Sequence, residues 1–126
     1  MLSIVEKQAE DESRSLEAFA REGARRMLKT ALEAEVAEYV TAHAGARDDE
    51  GHALVVRNGR ANGRTIVTGS GTIAVVAPRV NDKRVVDGTR QRFTSQILPP
   101  DMRRSPKVDE VLPILYLRGL STGDFR

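Results

Sequence analysis

At 126 residues with five aromatic side chains, three Phe and two Tyr, the chain suffices for one thin-cored domain or a piece of something larger. The lack of cysteine excludes a disulfide framework, a thiolate metal site and a cysteine nucleophile, and no apolar run approaches the ~18 residues of a membrane span. The formal charge of +2 conceals segregation: residues 1–50 carry 7 basic and 12 acidic side chains (−5), residues 51–104 carry 10 and 3 (+7), and residues 105–126 balance.

A basic middle of this kind is the electrostatic footprint of a polyanion partner, nucleic acid first among candidates; solubilising arginines on one face of a small sheet are the alternative. Met1 to Glu6 shows neither a basic start nor a long apolar stretch, so no signal peptide is expected and the cytoplasm is the default location.

Taken in order, the chain reads as α+β. Ser13 and Ser15 are candidate N-caps for a proline-free helix from Leu16 to about His43. Leu16, Phe19, Ala20, Gly23, Met27, Ala31 and Ala34 form one apolar stripe at helical spacing; Leu28, Leu32, Val36 and Tyr39 form a second, about 100° around the helix. Two faces imply burial on both sides or a kink near Gly23. The second stripe is expected to be a self-association or inter-domain surface or, equally, to be wrapped by the chain's own β segment. Glu33, Glu35 and Glu38 cluster, but without His or Asp at ligand spacing they read as a solvated helix face. Ala44-Gly45-Ala46 stops the helix, and Arg47 to Gly51 is a charged linker.

The β segment is expected to hold three antiparallel strands: His52–Arg57, a turn at Asn58-Gly59, then Thr65–Thr68 and Thr72–Ala77 around Gly69-Ser70-Gly71. Pro78, without an N–H, should end that ladder. His43 and His52 lack partners at convincing metal spacing. The stretch Gly59 to Thr65 superficially resembles a phosphate loop. Its glycines are one residue too close, arginine replaces lysine, and a strand pattern follows, so nucleotide hydrolysis is rejected. Glycines allowing close approach, flanked by Arg57, Arg60 and Arg64 on one side and Arg79, Lys83 and Arg84 on the other, suit contacts with a nucleic-acid backbone.

Thr94 to Pro100 should be extended or turn-like, because Pro99-Pro100 forbids helix. Ser105 then caps a helix with Pro106 at its first position, and Pro113 should kink it or delay its start. Gly119 is an αL cap, and Ser121 to Asp124 is a capping-box variant opening a second helix. Helix, tight turn and new helix are how a helix-turn-helix begins; this one is read as truncated. The expected division is a helical region at 1–45, a basic β segment at 46–104 and the opening of the helix-turn-helix at 105–126.

Arg57-Asn58-Gly59, Arg64-Thr65, the hairpin ending Ala77-Pro78-Arg79-Val80, Arg92-Phe93, Ile97-Leu98-Pro99-Pro100 and the closing run Leu115 to Phe125, LYLRGLSTGDF, are familiar together. From about Leu16 to Phe125 the chain resembles the mutator-type transposases of bacterial insertion sequences, and Ala24 to Val40 is similar to the helix preceding that hairpin. The resemblance implies DNA transposition: binding of the element's terminal inverted repeats, then metal-dependent strand cleavage and transfer. In the family that chemistry belongs to a later ribonuclease-H-like domain with three acidic residues and divalent ions, magnesium foremost. No carboxylate of this sequence matches them.

The chain is therefore expected to be the DNA-recognition portion of a transposase, with no cofactor of its own and no cleavage activity alone. Its expected partner is duplex DNA, with self-association or pairing with a full-length transposase beside it. The competing expectation is a non-enzymatic module that inhibits a full-length transposase through mixed oligomers.

Overall fold

The computed structural model describes residues 3–117. Its first element, α1, spans Ile4–Ala42, so the helix begins well before the expected Leu16. The cause is a capping box the serines at 13 and 15 had obscured: the Glu6 N–H donates to Ser3 Oγ and the Ser3 N–H to the Glu6 carboxylate, each at 3.2 Å. At 1.5 Å per residue, α1 is about 58 Å long and runs uninterrupted through Gly23.

Six short strands follow: β1 Val55–Arg60, β2 Arg64–Thr68, β3 Gly71–Val75, β4 Pro78–Asp82, β5 Val85–Val86 and β6 Thr89–Arg90. They form three two-stranded antiparallel sheets, β1–β4, β2–β3 and β5–β6, where one three-stranded ribbon was expected. The β2–β3 hairpin was anticipated; its register places Ile66 opposite Ile73 and Thr68 opposite Gly71. Gly71, at φ 108°, adopts a conformation only glycine takes freely, and Thr68 Oγ1 donates to its carbonyl at 2.7 Å.

β1 does not fold back at Asn58-Gly59. It continues through these residues with a register break between Arg57 and Arg60, Gly59 standing at φ 64°, so the dipeptide is a bulge. Its partner is β4, with Val55 opposite Asp82 and Arg57 opposite Val80. Pro78 thus opens a strand instead of only closing one, as a residue without an N–H can at a strand's first position. Asp87-Gly88, both at positive φ, makes the two-residue turn between β5 and β6.

The second helix, α2, spans Pro106–Leu117 as one element with Pro113 inside it, so Pro113 does not delay its start. Ser105 precedes it, but its hydroxyl donates to the Ile97 carbonyl at 2.7 Å instead of capping. The expected αL cap at Gly119 and second helix from Ser121 lie outside the described residues.

A single core joins these parts. Ala24, Met27, Leu28 and Leu32 of α1 pack against Ile66, Ile73 and Val75 of the hairpin, Leu98 of the bent segment before Pro99, and Val108 and Leu112 of α2. The stripe Leu28-Leu32-Val36 is therefore intramolecular, and of its two expected uses the wrapping by the β segment is observed. The other stripe divides: Met27 is buried, whereas Leu16 and Phe19 are 69% and 78% exposed. Each fully buried leucine is worth about 2 kcal/mol.

Candidate nucleic-acid interface

The helix supplies carboxylates that position the loops and strands around it. Glu35 accepts from Ser95 Oγ at 2.5 Å and from the Gln96 N–H at 2.8 Å, anchoring the bend at residues 96–98. Glu33 accepts from two arginines of β1: Arg57 through Nη1 and, at 2.9 Å, Nη2, and Arg60 through Nη1 at 2.9 Å. The hydrogen bonds from Arg57 and then Arg60 hold the Glu33 carboxyl below its ordinary range against the opposing effect of burial. One carboxylate faces two guanidiniums, so one positive charge stays uncompensated, and both arginines remain open to water.

Arg64 opens β2 and is held differently. Its Nη2 donates to the Pro99 carbonyl at 2.7 Å and the Met102 carbonyl at 3.2 Å, and Nη1 donates to the Pro100 carbonyl. Its Nε is buried and has no hydrogen-bond partner among the described residues. Three carbonyls orient the guanidinium without neutralising it, leaving a fixed cation.

Arg84 faces a carboxylate of its own. The Asp82 side chain, 1% exposed, accepts from Arg84 Nη2 at 2.9 Å and from Tyr39 Oη at 2.6 Å. The hydrogen bond from Arg84 is the main reason the Asp82 carboxyl lies well below its ordinary range. Burial, then the bond to Asp82, pushes the Tyr39 phenol up. Tyr39 also packs edge-on against Phe93, ring centres 4.9 Å apart, so this polar cluster ties α1 to the end of β4. Arg79 on β4 and Lys83 after it are exposed, and neither meets a carboxylate among the described residues.

Two grooves flank Arg64. The first, about 580 Å³, is lined by Arg25, Lys29, Arg60 and Arg64 beside Gly63, with no acidic residue in its wall. The second, about 810 Å³, is lined by Arg64, Arg79, Arg90 and Arg92, with Asp82 and Asp101 also in its wall. Because Arg64 belongs to both, the grooves share that cation. Arg25 is paired with Glu22, whose carboxyl is held down at about 2 by hydrogen bonds from Arg25 and Arg26.

Of the six basic residues picked from the sequence, the grooves gather Arg60, Arg64 and Arg79; Arg57, Lys83 and Arg84 lie outside their walls. Arg25, Lys29, Arg90 and Arg92 line them and were not singled out. Arg25 and Lys29 carried a signal: spaced i, i+4, they share a helix face. Arg90 and Arg92 follow the Asp-Gly turn, whose positive-φ preference marks a tight hairpin.

His52 Nδ1 lies 3.5 Å from both the Asp48 and the Glu50 carboxylates, but among the described residues no group of three or more His, Asp or Glu side chains is arranged to hold a metal ion. No described helix is long and apolar enough to cross a membrane. No curated protein and no solved structure matched the chain. A family model did, described as transposase, mutator family, and it matches residues 1–126. The chain, with one cationic groove between its long helix and the β2–β3 hairpin and a second along β4 and the segment that follows the small sheets, belongs to the mutator family of transposases.

Proposed function

We propose that these residues serve DNA transposition as a grip on duplex phosphates, while strand cleavage and transfer belong to acidic residues outside this sequence. The observation that carries the reading is the set of cations converging on two grooves that share Arg64. Lys29, Arg64, Arg79, Arg90 and Arg92 line them with no carboxylate partner among the described residues, and Arg60 shares one carboxylate with Arg57. Arg57 and Lys83 extend the positive surface beyond the grooves. Arg84 acts at one remove, by fixing the end of β4.

Guanidiniums present planar, multidentate donors to phosphate oxygens, and Gly63 lets main chain approach closely. Contacts of this kind position a protein on duplex without reading its bases. Binding of the terminal inverted repeats themselves therefore depends on groups other than these.

Fluorescence anisotropy with a labelled inverted-repeat duplex and an unrelated duplex tests the assignment. Lys29→Ala combined with Arg79→Ala should weaken binding to both duplexes equally and lower the log–log salt slope by about 2. Unchanged affinity for both would contradict it.

A further inference from the structure

Every residue of α1 from Ile4 to Arg21 is exposed, so about 27 Å of helix stands outside the core at 1.5 Å per residue. A free helix of that length is marginal in water on propensity alone. Its residues are nonetheless patterned: Val5, Ala9, Leu16, Phe19 and Gly23, with the charged Glu12 standing between Ala9 and Leu16, recur at spacings of 4, 3, 4, 3 and 4 residues, the alternation of a coiled-coil seam. Val5 is 74% exposed, Leu16 69% and Phe19 78%.

The positions bordering the seam are Glu6, Gln8, Ser13, Ser15, Ala20 and Glu22, mostly uncharged. Lys7, Glu10, Asp11, Arg14, Glu17 and Arg21 fall on the opposite side. The seam also complements itself when reversed. Aligning two antiparallel copies about Arg14 sets Val5 against Gly23, Ala9 against Phe19 and Glu12 against Leu16, large against small at the first two layers. The bordering contacts become Glu6 with Ala20, Gln8 with Glu22, Ser13 with Ser13 and Ser15 with Ser15, none of them like-charged. A parallel pair in register would instead place Glu12 against Glu12.

We propose that this exposed seam pairs with the same seam of a second copy of the chain, antiparallel about a two-fold axis at Arg14. A surface complementary to itself under a two-fold rotation is what an isologous dimer requires. The antiparallel sense also puts the two folded bodies, which begin near Arg21, at opposite ends of the paired helices. This pairing is independent of the DNA reading and involves none of the groove cations.

The 126-residue chain, free of nucleic acid, provides the test in sedimentation equilibrium. Wild type should rise with concentration from 13.9 kDa toward twice that mass. Phe19→Glu should stay at the monomer mass with unchanged circular dichroism of the folded body, since Phe19 is not in the core. Glu12→Leu should dimerise at lower concentration than wild type. Because the sequence has no cysteine, single-cysteine variants report geometry directly: Ser15→Cys should form a disulfide-linked dimer on mild oxidation and Val5→Cys should not. A wild-type mass fixed at the monomer value overturns the proposal. Crosslinking of Val5→Cys, with or without Ser15→Cys, overturns the antiparallel arrangement, as does failure of Ser15→Cys to crosslink.

Discussion

The Asp82 carboxylate is almost wholly removed from water and is kept ionised by Arg84 and Tyr39, both at its edge. Its folded pKa lies below the unfolded value, so its contribution to stability is present above about pH 4 and fades as pH falls through the folded value. Asp82→Asn should lower stability by about 2 kcal/mol at neutral pH, less than for a fully buried pair because Arg84 can turn toward solvent. It should also flatten the loss of stability seen on acidification; urea midpoints from pH 7 to pH 3 measure both. Glu33 works in the other direction. It neutralises half of the charge offered by Arg57 and Arg60, so Glu33→Gln should raise duplex affinity by about 3- to 10-fold while costing about 1 kcal/mol of stability. Anisotropy and urea titration on the same variant separate the two effects.

Among elements, the hairpin β2–β3 and the helix start at Pro106 were legible because each is written in adjacent residues: β-branched alternation about Gly69-Ser70-Gly71, and proline at a first helical position. The pairing of β1 with β4 was not, since nothing local tells Val55 that its neighbour is Asp82, and a bulge at Asn58-Gly59 looks the same in sequence as a turn. The two readings make different demands on Gly59. At φ 64° it is conformationally special, yet a Cβ there would meet nothing within 4 Å. Gly59→Ala should therefore cost only the backbone term, about 1 kcal/mol, and leave the fold intact. A disrupted far-ultraviolet spectrum would instead indicate that the β1–β4 ladder depends on that bulge. The choice of core stripe was equally open from periodicity: both stripes fit a helix, and only the position of the hairpin makes Leu28 and Leu32 inward and leaves Phe19 outside. Leu28→Ala should accordingly cost about 3 kcal/mol, and Phe19→Ala close to nothing in the isolated monomer.

At the scale of the molecule, the charge segregation visible in composition becomes geometry. The basic middle of the chain meets Arg25 and Lys29 of an otherwise acidic helix in the first groove, and Arg64, held by carbonyls, connects that groove to the second. The regional charge balance announced the basic side of this surface but not which cations remain free, because Glu33 and Asp82 pair with arginines through contacts distant in sequence or hidden by burial. The salt dependence of duplex binding measures the number of cations that the surface brings to DNA. With five or six phosphates engaged, a plot of log K against log salt should fall with a slope of about −5, alike for inverted-repeat and unrelated duplex. A slope near zero would contradict the grip on phosphates.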